Sequence, residues 1–490
     1  MEQPPLADSP SATTETQAVP IPISSDRGIV RAAAVLAVGN VASRVLGLLR
    51  EIVKSNQYGA SGLLGAYTVA ALVPMTLFNL LAGGEMVSSS LVPVFSDYAG
   101  PARRGQLWGV LSTFISLAVI GLLLIVLLLQ LLAPQVAWLA GARNFQDPTL
   151  FPLTVELMRL STPALLFLSL ASIITGLLFA LQRFSLPAFT AAVFNGTIVV
   201  VALLDPFHIQ ALAWGLLLGS VLQVILQLPA LRDARLRPRF DWRHPAIRRI
   251  LLLYTPIVAG LLVNQAAVWI SYNLAITTGD SSVTYMTYAT TLYQFPLGLV
   301  VTALSIATLP RLSSIASAYQ RAAGDGAAEA ADRLREYKET LAGGLRLALV
   351  LVLPAAAGLF ALAGPIIALL LEHGQFTPED SRITALVLRV YLFGLPFAAV
   401  DTMLVSASYA RKDTWRPALV GVVTISLYTL AAALLLPRLG LLSLMAADAF
   451  KHFLHALIMF WLLGRSVGSL AGFRVGSAAL KSAGAALATA

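Results

Sequence analysis

Apolar residues come in long runs broken by short polar stretches, and this pattern holds from Ile29 to about residue 465. A helix of about 18 or more such residues, rising about 1.5 Å per residue, spans the hydrocarbon core of a bilayer. The period-two alternation of a membrane β-barrel is not present. Twelve spans are expected, at about 28–56, 62–93, 106–133, 152–181, 187–205, 209–231, 248–278, 283–315, 340–364, 382–409, 415–436 and 440–464. The fold class is therefore an all-α polytopic membrane protein. Residues 1–27 are rich in Pro, Ser, Thr and Glu and contain no apolar h-region, so they read as a disordered cytoplasmic tail and not as a signal peptide. Residues 466–490, rich in Ala, Gly and Ser, read as an incomplete C-terminal extension, the start of a thirteenth helix.

The spans fall into two similar sets. Pro163-Ala164-Leu165-Leu166-Phe167, followed by Gln182-Arg183-Phe184-Ser185-Leu186-Pro187-Ala188, opens the fourth and fifth spans. Pro396-Phe397-Ala398, followed by Arg411-Lys412-Asp413-Thr414-Trp415-Arg416-Pro417-Ala418, opens the tenth and eleventh. Leu91-Val92-Pro93-Val94-Phe95-Ser96 closes the second span as Thr308-Leu309-Pro310-Arg311-Leu312-Ser313 closes the eighth. The expectation is two six-helix lobes, 28–231 and 250–465, joined by an Arg-rich linker at 232–249 around a central cavity.

Composition supports the membrane reading: the chain is 58% hydrophobic, against about 45–50% in soluble domains. The net charge of +9 would suggest nucleic acid in a soluble protein, but here the basic residues crowd alternate loops. Arg103 and Arg104, Arg183, the seven arginines from Arg232 to Arg249, the group from Arg311 to Lys338, and Arg411, Lys412 and Arg416 all fall on one side. The opposite loops offer little beyond Lys54, Arg143, Arg382 and Arg438. This bias places the amino terminus in the cytoplasm. Nucleic acid is excluded as a partner, since no soluble module exists to bind it. With no cysteine there are no disulfides and no thiolate metal sites.

The chemistry rests on polar residues within the spans. Arg44 and Arg50 lie six residues apart in the first span, about 120° short of two helical turns, so both can face one broad cavity. Each is costly inside a bilayer unless an anion or water meets it, and a guanidinium fork grips phosphate with two charge-assisted bonds. Glu85, after Ala82-Gly83-Gly84, is a candidate either for ion or proton coupling or for an ion pair with a first-span arginine. Asn264, Gln265, Asn273 and Gln294 can hydrogen-bond sugar or peptide groups or neighbouring helices. In the last span Asp448 with His452, and Lys451 with His455, stand at i,i+4, as a proton relay or as a self-neutralising pair. Glu156 and Arg159 read as an interfacial ion pair. Phosphate loops, zinc spacings and nucleophile elbows do not occur, so no enzyme is expected.

Ser43-Arg44-Val45-Leu46-Gly47-Leu48-Leu49-Arg50-Glu51 with Gly59-Ala60 resembles the opening of the MurJ (MviN) family of lipid II flippases. Tyr293-Gln294-Phe295-Pro296-Leu297-Gly298, Gly374-Gln375-Phe376, Tyr391-Leu392-Phe393-Gly394-Leu395-Pro396-Phe397 and Tyr409-Ala410-Arg411-Lys412-Asp413-Thr414-Trp415-Arg416-Pro417 continue the resemblance in the family's order. It implies the fold of the multidrug/oligosaccharidyl-lipid/polysaccharide exporter superfamily in the bacterial inner membrane. It also implies movement of an undecaprenyl-pyrophosphate-linked peptidoglycan precursor to the outer leaflet, with membrane lipids and cell-wall synthesis machinery as partners. In the family, cavity arginines of the first, second and eighth spans hold the pyrophosphate, and Arg44 and Arg50 match the first-span pair. Ser43, Arg44, Arg50, Gln265 and Gln294 are then the expected substrate-binding set, and Glu85, Asp448 and His452 the ion- or proton-coupling set. No cofactor is expected beyond coupling to membrane potential or a monovalent cation. The chain departs from the family at Phe78, where the second span usually carries a basic residue. It departs again at Thr290-Thr291, where the eighth usually has arginine, and at Gly65, usually acidic. Alternative expectations are a flippase for another polyprenyl-linked oligosaccharide, an ion-coupled small-molecule exporter, or a membrane scaffold.

Overall fold

The structure, a computed structural model, describes residues 26–205 and 208–489. The expected tail at 1–27 lies outside the described residues except for its last two positions, which open the first helix. The spans are α1 (Asp26–Tyr58), α2 (Gly62–Ser96), α3 (Pro101–Leu131), α4 (Leu150–Ala180), α5 (Pro187–Leu204), α6 (Gln210–Leu231), α7 (Pro245–Ile276), α8 (Ser282–Ala322), α9 (Ala327–Ala361), α11 (Trp415–Leu439) and α12 (Leu442–Val467). Between α9 and α11 lies α10, made of Pro378–Leu392 and Leu395–Ala410 and bent by 43° at the break. Pro396 lacks an N–H, and with Gly394 it interrupts the hydrogen-bond ladder there. Gly394 also permits close packing, because a Cβ on it would lie 2.8 Å from the Cα of Ala449 in α12.

One difference from the sequence reading stands out. Residues 327–339, expected as loop, extend α9. Their Ala- and Glu-rich sequence favours helix, and Arg333 bridges Glu329 and Glu336 as Arg335 bridges Glu339. The fragment after Gly472 forms a helix, Val475–Thr489, packed against α9.

The duplication has a backbone signature. Gln182 and Lys412 occupy equivalent places in the α4–α5 and α10–α11 turns, and both adopt the left-handed conformation, with φ of 59° and 63°. In each turn the next N–H reaches back five residues, Arg183 to the Leu178 carbonyl at 2.8 Å and Asp413 to the Ser408 carbonyl at 3.0 Å. That is the helix-ending motif usually made with glycine, here repeated without it. Both α2 and α8 also carry a π-helical turn, Val87–Leu91 and Leu297–Val301. Such turns widen a helix locally and reposition the side chains that follow.

The buried apolar side chains fall into three clusters. At the end away from the arginine-rich segment 232–249, one cluster draws on both lobes, from Val53, Leu64 and Ala133 to Ile276, Val352 and Leu395. At the arginine-rich end the core splits. One part joins α2, α3 and α4 with Ile247, Ile250 and Tyr254 of α7. The other, built from α8, α9, α10 and α12, lies wholly in the second lobe. The half of α7 at the arginine-rich end thus packs with the first lobe. The linker ahead of α7 is tied to α3 as well, through Arg237 N–H to Ser112 and Arg239 N–H to Ser116.

Polar contacts close the far end. Asp280 accepts the backbone N–H groups of Gln146 and Asp147 at 2.6 and 3.1 Å, Thr284 donates to the Ser61 carbonyl, and the N–H of Gln375 donates to the Asn56 carbonyl. The result is a cleft sealed at one end and open toward the arginine-rich end.

The seal depends on a bare backbone. A Cβ on Gly59, whose φ is 59°, would stand 2.5 Å from the Gln375 carbonyl oxygen, so the end of α1 and the 373–376 turn fit closely because no side chain stands between them. Gly59→Ala should speed hydrogen exchange at the Gln375 amide, which donates to the Asn56 carbonyl. Unchanged exchange would show that the end of α1 and the 373–376 turn do not meet.

Candidate functional site

Arg44 lies midway along α1 and is exposed in the cleft. Among the described residues it makes no ion pair or hydrogen bond. Its guanidinium rests against α8, where a Cβ on Gly298 would be 3.3 Å from Nη2. Gly298 lies in the α8 π turn, so the motif that brings glycine there leaves room for an arginine from the other lobe. Gln294, one turn earlier and exposed, looks into the same space.

Arg50 is placed differently. Its Nε and Nη2 donate to Glu51 Oε1 at 3.0 and 2.7 Å, and its Nη1 donates to Asn195 Oδ1 at 3.0 Å. Glu51 Oε2 accepts from Lys54 at 2.8 Å. Asn195 of α5 also donates to the Ser43 carbonyl at 3.2 Å, so Ser43 enters the site through its backbone. Lys54, assigned from the sequence to an outer loop, is instead buried in α1. Its ammonium shares one carboxylate with Arg50, and the buried group carries one net positive charge.

The remaining candidates spread along the cleft. Gln265 accepts from Thr76, which in turn accepts from Trp269 Nε1 at 3.0 Å, a hydrogen-bonded bridge between α2 and α7. Asn273 donates to the Leu139 carbonyl at the sealed end. Glu85 is exposed, within electrostatic reach of Tyr254 in α7 and Tyr409 in α10. Among the described residues it pairs with neither first-span arginine, and α2 breaks just before it, at Ala82-Gly83. Thr291 is exposed, with its hydroxyl bonded back to the Thr287 carbonyl. Gly65 packs where a Cβ would lie 2.7 Å from the Asp280 carbonyl oxygen, so an acidic side chain has no room there in this conformation. The expected Glu156–Arg159 pair is not formed: Glu156 accepts from Gln210, and the Arg159 carbonyl accepts from Gln130.

In the second lobe, Asp448 pairs with Lys451 at 2.5 Å and lies 3.7 Å from His452. The expected Lys451–His455 contact is replaced by His455 on Asp401 of α10, at 2.5 Å. His455 is seven residues on from Asp448 and so shares its helical face, and its ring reaches across the α10–α12 interface, where Gly394 packs against Ala449. Sequence reading passed over Asp401, Asn195 and the hub role of Glu51. The signal for each was a lone polar residue inside an apolar span.

Comparison with known proteins agrees with this geometry. The family model described as lipid II flippase MurJ matches residues 54–490. The lipid II flippase MurJ of Burkholderia cenocepacia is 29% identical over 431 residues, 85% of this chain and 80% of that protein. A probable lipid II flippase MurJ of Bdellovibrio bacteriovorus is 28% identical over 444 residues, 89% and 82% of the two chains. Among solved structures, a lipid II flippase MurJ in an inward closed conformation superimposes with a TM-score of 0.75 at 22% identity, covering 92% of this chain and 90% of the other. An inward-facing MATE multidrug resistance transporter of the MOP superfamily gives 0.68 at 14% identity, over 88% and 96%. Both superpositions concern the fold.

Glu51 is the group on which the first-lobe cluster depends. Glu51→Gln leaves Arg50 and Lys54 side by side with no counter-charge, and removing one member of a buried ion pair costs about 3–5 kcal/mol. Membrane-inserted protein should fall sharply, as measured by immunoblot, and a second change, Lys54→Met, should restore part of it. Normal abundance of Glu51→Gln alone would show that the cluster is solvated.

Proposed function

The chain belongs to the lipid II flippase MurJ family, and from that membership we propose that it moves lipid II across the inner membrane without chemical change, by alternating access of the cleft. The observation that carries the reading is the open guanidinium of Arg44, set in a cleft between two lobes against the π turn of α8. A carrier of a pyrophosphate diester has to offer cationic hydrogen-bond donors that the headgroup alone satisfies, and Arg44 meets that requirement.

Charge supports the assignment. A pyrophosphate diester carries two negative charges. Arg44 contributes one positive charge, and the Arg50–Glu51–Lys54 group contributes one more. The balance is reached without basic residues at Phe78 or Thr291. Arg50 lies about 9 Å further along α1 than Arg44, from six residues at about 1.5 Å each, and closer to the sealed end. The headgroup is then met by Arg44 first and drawn toward Arg50 as the lobes rock. With the amino terminus in the cytoplasm, outward movement of two negative charges gains about 4.6 kcal/mol per 100 mV, at about 2.3 per charge, so an inside-negative potential supplies the drive.

Two experiments test this reading. Arg44→Ala should abolish the appearance of lipid II at the outer leaflet while leaving protein abundance unchanged, since Arg44 has no partner to strand. Arg44→Lys should recover only part of the transport, because a point charge lacks the two-pronged geometry. Loss of abundance in Arg44→Ala would assign Arg44 a structural role. For orientation, a cysteine at Pro148, exposed near the sealed end, should react with an impermeant thiol reagent in intact cells, and one at Arg235 should not. The reverse labelling would invert the topology.

A further inference from the structure

We propose that the Asp401–His452–Asp448 cluster between α10 and α12 takes up one proton per transport cycle, and that Tyr293 of α8 links its charge to the anion site. This goes beyond the voltage drive but rests on the transport reading.

The cluster holds more acid than fixed base. Asp401 and Asp448 bring two negative charges and Lys451 one positive, so with both imidazoles uncharged the group carries −1. Desolvation makes such an imbalance costly in a low-dielectric interior, and a single added proton removes it. His455 already engages Asp401 and Lys451 already engages Asp448. His452 stands between the two carboxylates, 3.9 Å from Asp401 and 3.7 Å from Asp448. These are ion-pair distances, too long for hydrogen bonds, and histidine is the side chain that changes charge near neutral pH. We take the added cation to be a proton, because an ammonium already sits on Asp448 and no three of the described His, Asp or Glu side chains converge as a metal's ligand set. Uptake forms one N–H bond on His452 with a proton from water, and release returns that proton to water on the other side.

A second observation points into the cluster. Tyr293 is buried, yet its hydroxyl has no hydrogen-bond partner, and it lies within electrostatic reach of Asp448 and Asp401. Its ring is held against Tyr391, with centroids 5.5 Å apart. Tyr391 and Tyr428 are the other titratable groups facing Asp448 from neighbouring helices, and Tyr428 is occupied by Ser271 at 2.6 Å. The Tyr293 hydroxyl is therefore a free donor for a carboxylate that His452 gives up. Five residues on, Gly298 carries the Arg44 guanidinium. Loss of the proton pulls Tyr293 toward the cluster and shifts the α8 π turn under Arg44.

Two measurements decide the matter. In purified full-length protein with 15N-labelled histidine, the His452 imidazole should be protonated at pH 6 and neutral at pH 8.5 by NMR, a readout independent of transport. A ring fixed in one charge state across that range overturns the site. In vesicles holding lipid II at fixed voltage, one pH unit of inward-directed proton gradient should shift the transleaflet ratio by up to about tenfold, the free energy of one proton per pH unit. His452→Gln should remove that shift while keeping voltage-driven movement, and Tyr293→Phe should remove it while His452 still titrates. A ratio that follows sodium, or a pH response unchanged in His452→Gln, overturns the coupling. If the wild type moves no lipid II while His452 titrates, the transport reading fails and the proton site stands without it.

Discussion

An arginine inside a membrane keeps its charge, since its proton is not lost under any physiological condition. The charge has to be met by an anion, by water, or by a fixed carboxylate, and the whole molecule is arranged around how this is done on α1. Arg50 has the fixed solution: Glu51 takes two of its donors, Asn195 takes a third, and Lys54 keeps the group net positive. Arg44, six residues earlier, is exposed, with the bare backbone of Gly298 beside its guanidinium. The first arrangement is permanent and structural, and the second is completed by whatever the cleft receives. A single helix thus carries one arginine with a built-in counter-charge and one exposed between the lobes.

That division makes sense only if the cleft changes sides, and the cores show how it can. At the sealed end the lobes share one apolar cluster, so opening there means separating packed side chains. At the arginine-rich end each lobe already has its own core, so the lobes stand apart at no cost in buried area. The polar contacts at the seal are few, and several run through backbone atoms, such as the Asp280 carboxylate on two loop N–H groups. Backbone contacts give close fit without specific side-chain locks. An interface of this kind can be exchanged for an equivalent one at the other end. The repeated turn geometry at Gln182 and Lys412 shows that the α4–α5 and α10–α11 turns are built alike.

Much of the fold was legible in the sequence because membrane spans are marked by length and apolarity, and every expected span appears within a few residues of its place except that α8 runs on to Ala322 and α9 starts early, at Ala327. That extension was missed because charge was taken as a sign of loop. Residues 327–339 are charged but carry opposite charges at i,i+3 and i,i+4 on strong helix formers. In the site, Arg44 was legible as a single cation in an apolar stretch. Its partner across the cleft was not, since Gly298 contributes an absence of side chain, which no pattern of polarity displays. Lys54 was assigned to a loop because charge near a span end favours that reading. Its burial depends on Glu51 accepting two cations at once, and sequence spacing alone does not reveal a shared carboxylate. Asp401 and His455 meet only because Gly394 lets α10 approach α12, a tertiary fact.

The two lobes carry unbalanced groups of opposite sign, and α8 touches both. On the first-lobe side, Arg44 with the Arg50 group amounts to two positive charges; on the second-lobe side, the two aspartates and Lys451 amount to one negative charge while both imidazoles are neutral. Closing the cleft over either imbalance withdraws charge from water and is penalised. In the cycle proposed above, a dianionic headgroup removes the first imbalance and a proton removes the second. A carrier with only one of them closes at a higher cost, so the proton adds to the voltage drive without being required for it. On this reading electrostatic neutrality, more than any lock between side chains, sets how readily the cleft closes, with α8 and its π turn as the element on which both ligands act.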